Sequence, residues 1–117
     1  MHYAALVLTK ATTDDPASAP LFEETVLLVH AETVDEAWSK ADAIARSRLA
    51  RYRNADGRLV TWSLERIVDV APTIHDPAMD GAEVYARHFE NFDDYVRFES
   101  LMRRQPATGD EKDEAGT

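Results

Sequence analysis

The strongest periodicity lies between Thr33 and Tyr52 (TVDEAWSKADAIARSRLARY). Apolar residues at Val34, Ala37, Trp38, Ala41, Ile44, Ala45, Leu49 and Tyr52 recur at steps of three and four, which predicts one face of an α-helix. Thr33 followed by Glu36 matches a capping box, in which each side chain satisfies a backbone N–H at the helix start. Asp35 and Glu36 stand in the first turn and Arg46, Arg48 and Arg51 toward the last, complementing the helix dipole at both ends. The pattern places Trp38 on the buried face, beneath a sheet.

Alternation predicts the strands. His2 to Lys10 is apolar on both faces, Tyr3, Ala5 and Val7 on one and Ala4, Leu6 and Leu8 on the other, as a central strand is. The stretch 11–20 is small, polar or proline and reads as a loop. Leu21 to Ala31 opens with Glu23 and Glu24, becomes apolar from Val26 to Val29 and has His30 near its end. Asn54 to Gly57 is a turn signal, preceded by a short strand at Tyr52 and Arg53. Leu59 to Ala71 carries Val60, Trp62, Leu64, Val68 and Val70 on one face and Thr61, Ser63, Glu65 and Asp69 on the other. Arg66 and Ile67 break that alternation and suggest a bulge, and Pro72 ends the strand. After a loop from Thr73 to Gly81, Ala82 to Phe89 reads as a fourth strand. Asn91 then caps a last helix to Arg104, with Asp93 and Asp94 in its first turn.

The order strand, strand, helix, strand, strand, helix is an α+β plan. A right-handed crossing of the long helix from the second strand to the third lets the first sit between them. The expectation is a four-stranded, mainly antiparallel sheet of order 2-1-3-4, with one long helix on one face and a C-terminal helix. The opposite face still needs cover for Leu6 or Val7 and the run Val26 to Val29. Either the C-terminal helix or a second copy of the chain would supply it. Residues 1–104 form the expected single domain, and 105–117 an acidic tail with nothing large to bury, expected to be disordered.

Composition narrows the function classes. The 117 residues hold 22 acidic against 13 basic side chains, a net charge of −9, which opposes binding to a phosphate backbone and argues against nucleic acid as partner. Cysteine is absent, which removes disulfides and thiolate chemistry and suits a reducing cytoplasm. No run approaches transmembrane length, and Tyr3 to Leu8 is too short and too poorly flanked to be a signal peptide. The expectation is a cytoplasmic protein with no membrane partner.

The series HYAALVL, LFEETVLLVHAETVDEAWSKA, VTWSLERIVDV and EVYARHF resembles a small bacterial family known only as a domain of unknown function. An E-E strand, an E-A-W helix start, a tryptophan strand and a V-Y-x-R-x-F strand carry the resemblance, which runs from Tyr3 to Phe89. It implies fold boundaries and no activity, cofactor or catalytic residue.

The residues themselves form no catalytic constellation. His2, His30, His75 and His88 show no metal-ligand spacing, and His75-Asp76 in its Pro-containing loop reads as turn chemistry. Glu23 and Glu24 are adjacent in a strand and point to opposite faces, so a solvated edge fits them better than a paired-carboxylate site. Arg46, Arg48, Arg51, Arg53 and Arg58 form a basic cluster that either receives an acidic or phosphate-bearing ligand or serves the helix terminus and nearby acids, the reading preferred. No phosphate loop or nucleotide fingerprint exists, and nothing calls for a cofactor.

The C-terminal helix is the segment singled out, because Phe92, Tyr95, Phe98 and Met102 form a broad apolar sector suited to a core or to an interface centre. The leading reading is therefore a non-enzymatic interaction module, a homodimer or the binder of another protein. The alternative is a small enzyme or ligand-binding protein with a pocket beside the sheet, walled by Trp62, Glu65, Arg66, Tyr85 and Arg87.

Overall fold

The computed structural model describes residues 1–99. Strands β1 (His2–Thr13) and β2 (Leu21–His30) are followed by helix α1 (Val34–Ser47), then β3 (Arg51–Arg53), β4 (Leu59–Pro72) and a short α2 (Phe92–Phe98). The strands form an antiparallel sheet of order β2-β1-β4-β3. This is the α+β plan with the doubly apolar β1 inside the sheet. The chain falls into two compact units, Met1–Ala86 and Arg87–Thr117; the second includes α2.

Two expectations about the sheet need correction. Its fourth place belongs to Arg51–Arg53, paired with Thr61 to Leu59, and Ala82 to Phe89 has no regular structure. The Asn54–Gly57 turn joins β3 to β4 as a local hairpin, closed by Asn54 donating to the Arg58 carbonyl at 2.9 Å. A loop that short closes at little entropic cost, and the edge beside β4 is thereby taken. Gly57 supplies the positive φ of 77° that the turn requires. The same hairpin shortens the helix, which ends at Ser47 with Arg48 as its C-cap instead of running on to Tyr52.

The broken alternation in β4 resolves into two bulges. Leu64 pairs with Thr9 and Arg66 with Leu8, while Ile67 pairs with Val7 and Asp69 with Leu6, so Glu65 and Val68 have no opposite number. Each extra residue turns the next side chain back to the same face. Leu64, Ile67 and Val70, three apart, consequently all meet the helix-side core.

That core joins Tyr3, Ala5 and Val7 of β1, Leu27 and Val29 of β2, and Ile67 of β4 to Ala37, Ala41 and Ala45 of α1. The helix thus meets the sheet through a stripe of methyl groups, and the volume comes from the strands. Trp38 does not belong to it. Its side chain is 45% exposed, because the helix sits on its alanine stripe, too close to the strands for an indole to lie between. The capping box forms, with Glu36 N–H donating to Thr33 Oγ1 at 3.1 Å; the Glu36 carboxylate accepts from Glu32 N–H at 2.8 Å, one residue earlier than the standard box.

Candidate functional site

Helix and sheet differ in length, and the difference makes a cleft. The 14 residues of α1 extend about 21 Å, whereas the 12 residues of β1 extend about 40 Å. Helix α1 covers Tyr3 to Val7 and stops, leaving Thr9 and its neighbours on that sheet face beside a cleft beyond the C-cap. The resulting cleft has a volume of about 300 Å³. Val7 and Thr9 of β1, Thr25 and Leu27 of β2, and Ala45 and Leu49 line it, with Trp62 of β4 as a wall. Trp62 Nε1–H donates to the Tyr52 hydroxyl at 3.2 Å, which holds the indole beside the opening. Glu23 and Arg48 also line the cleft. They form no ion pair with each other or with another group among the described residues.

The second feature is the open edge of β2. Ala31 N–H donates to the Met1 carbonyl at 3.0 Å. Ladder alternation then directs the odd-numbered residues of β2 toward β1 and turns the backbone groups of Phe22, Glu24, Val26 and Leu28 outward. His30 ends this edge, its carbonyl accepting from Lys40 Nζ. The side chains of these outward residues lie on the face away from α1. Phe22 is 50% exposed, Val26 45% and Leu28 47%. In β1 that face is closed, with Ala4 and Leu6 buried; there Tyr85 donates to Asp69, the register partner of Leu6, at 2.8 Å. The opposite edge is built differently, since β3 is three exposed residues with arginine at both ends. Short, charged edges resist pairing, and long apolar ones invite it.

A family model described as a domain of unknown function, DUF4288, matches residues 2–86. The chain belongs to DUF4288. Neither a curated protein nor a solved structure matches it. The DUF4288 region coincides with the first compact unit, Met1–Ala86, so the cleft and the β2 edge both belong to the family domain, while α2 lies outside the matched residues.

Within the DUF4288 domain, the residues expected to wall a pocket are dispersed. Trp62 lines the cleft. Glu65 sits in a bulge, Arg66 pairs with Leu8, and Tyr85 is engaged by Asp69 on the opposite face. Arg87 opens the second unit. In that unit α2 buries none of its residues, and Tyr95 stacks on Phe89 at 4.5 Å between ring centroids. Phe92 and Phe98 are exposed, and Met102 lies outside the described residues.

The arginine cluster divides. Arg46 pairs with Asp42 at 3.0 Å and Arg58 with Asp14 at 4.0 Å, Arg53 donates to the Gly57 carbonyl, and Arg48 alone of the five lines the cleft. Glu23 faces the cleft and Glu24, opposite Leu8, the other side, as strand geometry requires. Asp76 accepts from Ala78 N–H at 3.0 Å, a local turn bond, while His75 Nδ1 accepts from Glu83 N–H at 3.0 Å, eight residues away across the loop. His2 and His30 meet edge to face across β1 and β2, 5.1 Å apart. Among the described residues no three histidine or carboxylate side chains are grouped to hold a metal ion, and no helix is long and apolar enough to cross a membrane.

The sequence reading did not bring Glu23, Thr25, Arg48 and Leu49 together. The signal is the mismatch between a helix ending at Ser47 and a first strand about twice its length, which a helix running on to Tyr52 would mask.

Proposed function

We propose that this DUF4288 protein is a non-enzymatic interaction module of the bacterial cytoplasm that takes an extended segment of a partner protein onto the open edge of β2. One observation carries the reading. The outward backbone of Phe22, Glu24, Val26 and Leu28 has no strand beside it among the described residues, and three of those four side chains are large, apolar and about half exposed. Main-chain hydrogen bonds would give affinity and alternate side chains specificity, as in strand addition generally. Glu24, on the same face as Phe22, Val26 and Leu28, in a chain of net charge −9, favours a partner segment that alternates apolar with basic residues. Self-pairing would instead bring like charges together across the new ladder.

The test uses a synthetic peptide of alternating valine and lysine, titrated into the ¹⁵N-labelled chain. Binding should protect the amides of Phe22, Glu24, Val26 and Leu28 from solvent exchange and leave those of Leu27 and Val29 unchanged. Val26→Pro removes one outward donor and spares the ladder to β1, because proline is tolerated where the N–H faces solvent. Equal binding by Val26→Pro, or no protection of the outward amides, would refute the reading.

Self-association through α2 is a second reading, supported by the exposure of Phe92 (59%) and Phe98 (73%). Light scattering separates the two. A parent dimer split by Phe98→Glu would establish the α2 contact, and a parent that stays monomeric at micromolar concentration would exclude it.

A further inference from the structure

We infer that the cleft beyond the C-cap of α1 binds a small zwitterion with an apolar body, of the size and chemistry of a free apolar amino acid. The floor is apolar, from Val7, Leu27, Ala45 and Leu49, with the Trp62 indole at the side. Its polar lining contains one cation and one anion, Arg48 and Glu23. Opposite charges that border one small cleft and do not neutralise each other leave a place for a ligand carrying the complementary pair. The guanidinium fork of Arg48 suits a carboxylate, and the Glu23 carboxylate suits an ammonium group. The volume, about 300 Å³, stands at the lower end of small-molecule sites, which suits a ligand of amino-acid size. Thr25 adds a hydroxyl that can donate or accept between the two charged ends, and Thr9, whose hydroxyl donates to the Glu23 carbonyl at 3.5 Å, one that can accept. Trp62 donates to Tyr52, which favours the indole orientation that walls the cleft and lowers the order to be created on binding.

This site is independent of the edge-docking reading. It uses residues 23, 25 and 27 of β2, whose side chains point away from those of residues 22, 24, 26 and 28.

The experiment titrates L-phenylalanine and L-leucine into the ¹⁵N-labelled full chain and follows the Trp62 indole N–H with the amides of Thr25 and Leu49. Phenylalaninamide, which lacks the carboxylate, and N-acetylphenylalanine, which lacks the ammonium, are run alongside. The expected result is saturable shifts at Trp62 with the free amino acids, and binding weaker by about tenfold or more for each truncated analogue, the effect of one charge-assisted hydrogen bond. Arg48→Met should abolish the advantage of phenylalanine over its amide, and Glu23→Gln the advantage over the N-acetyl form. Thr25→Leu, which fills the cleft, should remove binding while the amide spectrum elsewhere stays that of the folded parent. No shift at Trp62 with any probe would overturn the inference. So would equal affinity for the amino acid and both analogues, or undiminished binding by folded Thr25→Leu. Val26→Pro should bind the amino acid as the parent does, which keeps this outcome distinct from that of the edge test.

Discussion

Replacing Ala41 by leucine probes how closely α1 lies on the sheet. Ala41 has no exposed surface and sits in the core cluster with Ala37, Ala45 and the strand residues Tyr3, Val7, Leu27, Val29 and Ile67. Leucine adds three carbons where a methyl already fills the space, and its helix propensity is close to that of alanine, so the change acts on packing alone. Overpacking of this kind costs about 1–3 kcal/mol. For a domain of this size each kcal/mol lowers the melting temperature by about 4–8 °C, and the expected fall is therefore about 5–20 °C. Thermal unfolding followed by circular dichroism at the helix minimum measures it. Ala43→Leu is the control, since Ala43 is exposed on the outer side of the same helix, and it should stay within about 0.5 kcal/mol of the parent. Equal melting temperatures for Ala41→Leu and Ala43→Leu would refute the close approach and require a wider gap between helix and sheet.

Two further changes test α1. Trp38→Ala should cost about 1 kcal/mol or less by urea midpoint, since the indole is 45% exposed; the 3–5 kcal/mol typical of a buried aromatic would put Trp38 back in the core. Thr33→Ala removes the acceptor of the Glu36 N–H bond and should cost about 1 kcal/mol, with an unchanged m-value in urea; a neutral result would mean that solvent serves that N–H equally well.

Local rules made much of the fold legible. The double apolarity of β1 announced an inner strand, and the T-x-x-E signature located the start of α1 at the observed residue. Break of alternation at Arg66 and Ile67 marked the bulged part of β4. What escaped depended on contacts remote in sequence or on competition between them. Trp38 and Ala37 occupy adjacent positions on one apolar arc, and only the approach of the sheet decides which is buried. Periodicity ranked the larger residue inward and packing chose the smaller. Tyr52 continued the helical spacing but was claimed by the hairpin to β4, and Ala82 to Phe89 alternated like a strand although β3 already held the place beside β4. The open face of β2 was foreseen as a surplus of apolar residues at Val26 to Val29. Which of them would stay exposed, Val26 and Leu28, followed only from the register with β1.

The two edges of the sheet are unequal, and that inequality sets a direction of growth. An added strand can extend the ladder along β2, whereas the three residues of β3, with Arg51 and Arg53 at its ends, offer no comparable template. A sheet with two receptive edges can propagate from molecule to molecule into a fibre. This one has a single receptive edge among the described residues, so the strand addition proposed above would enlarge the sheet from the β2 side alone.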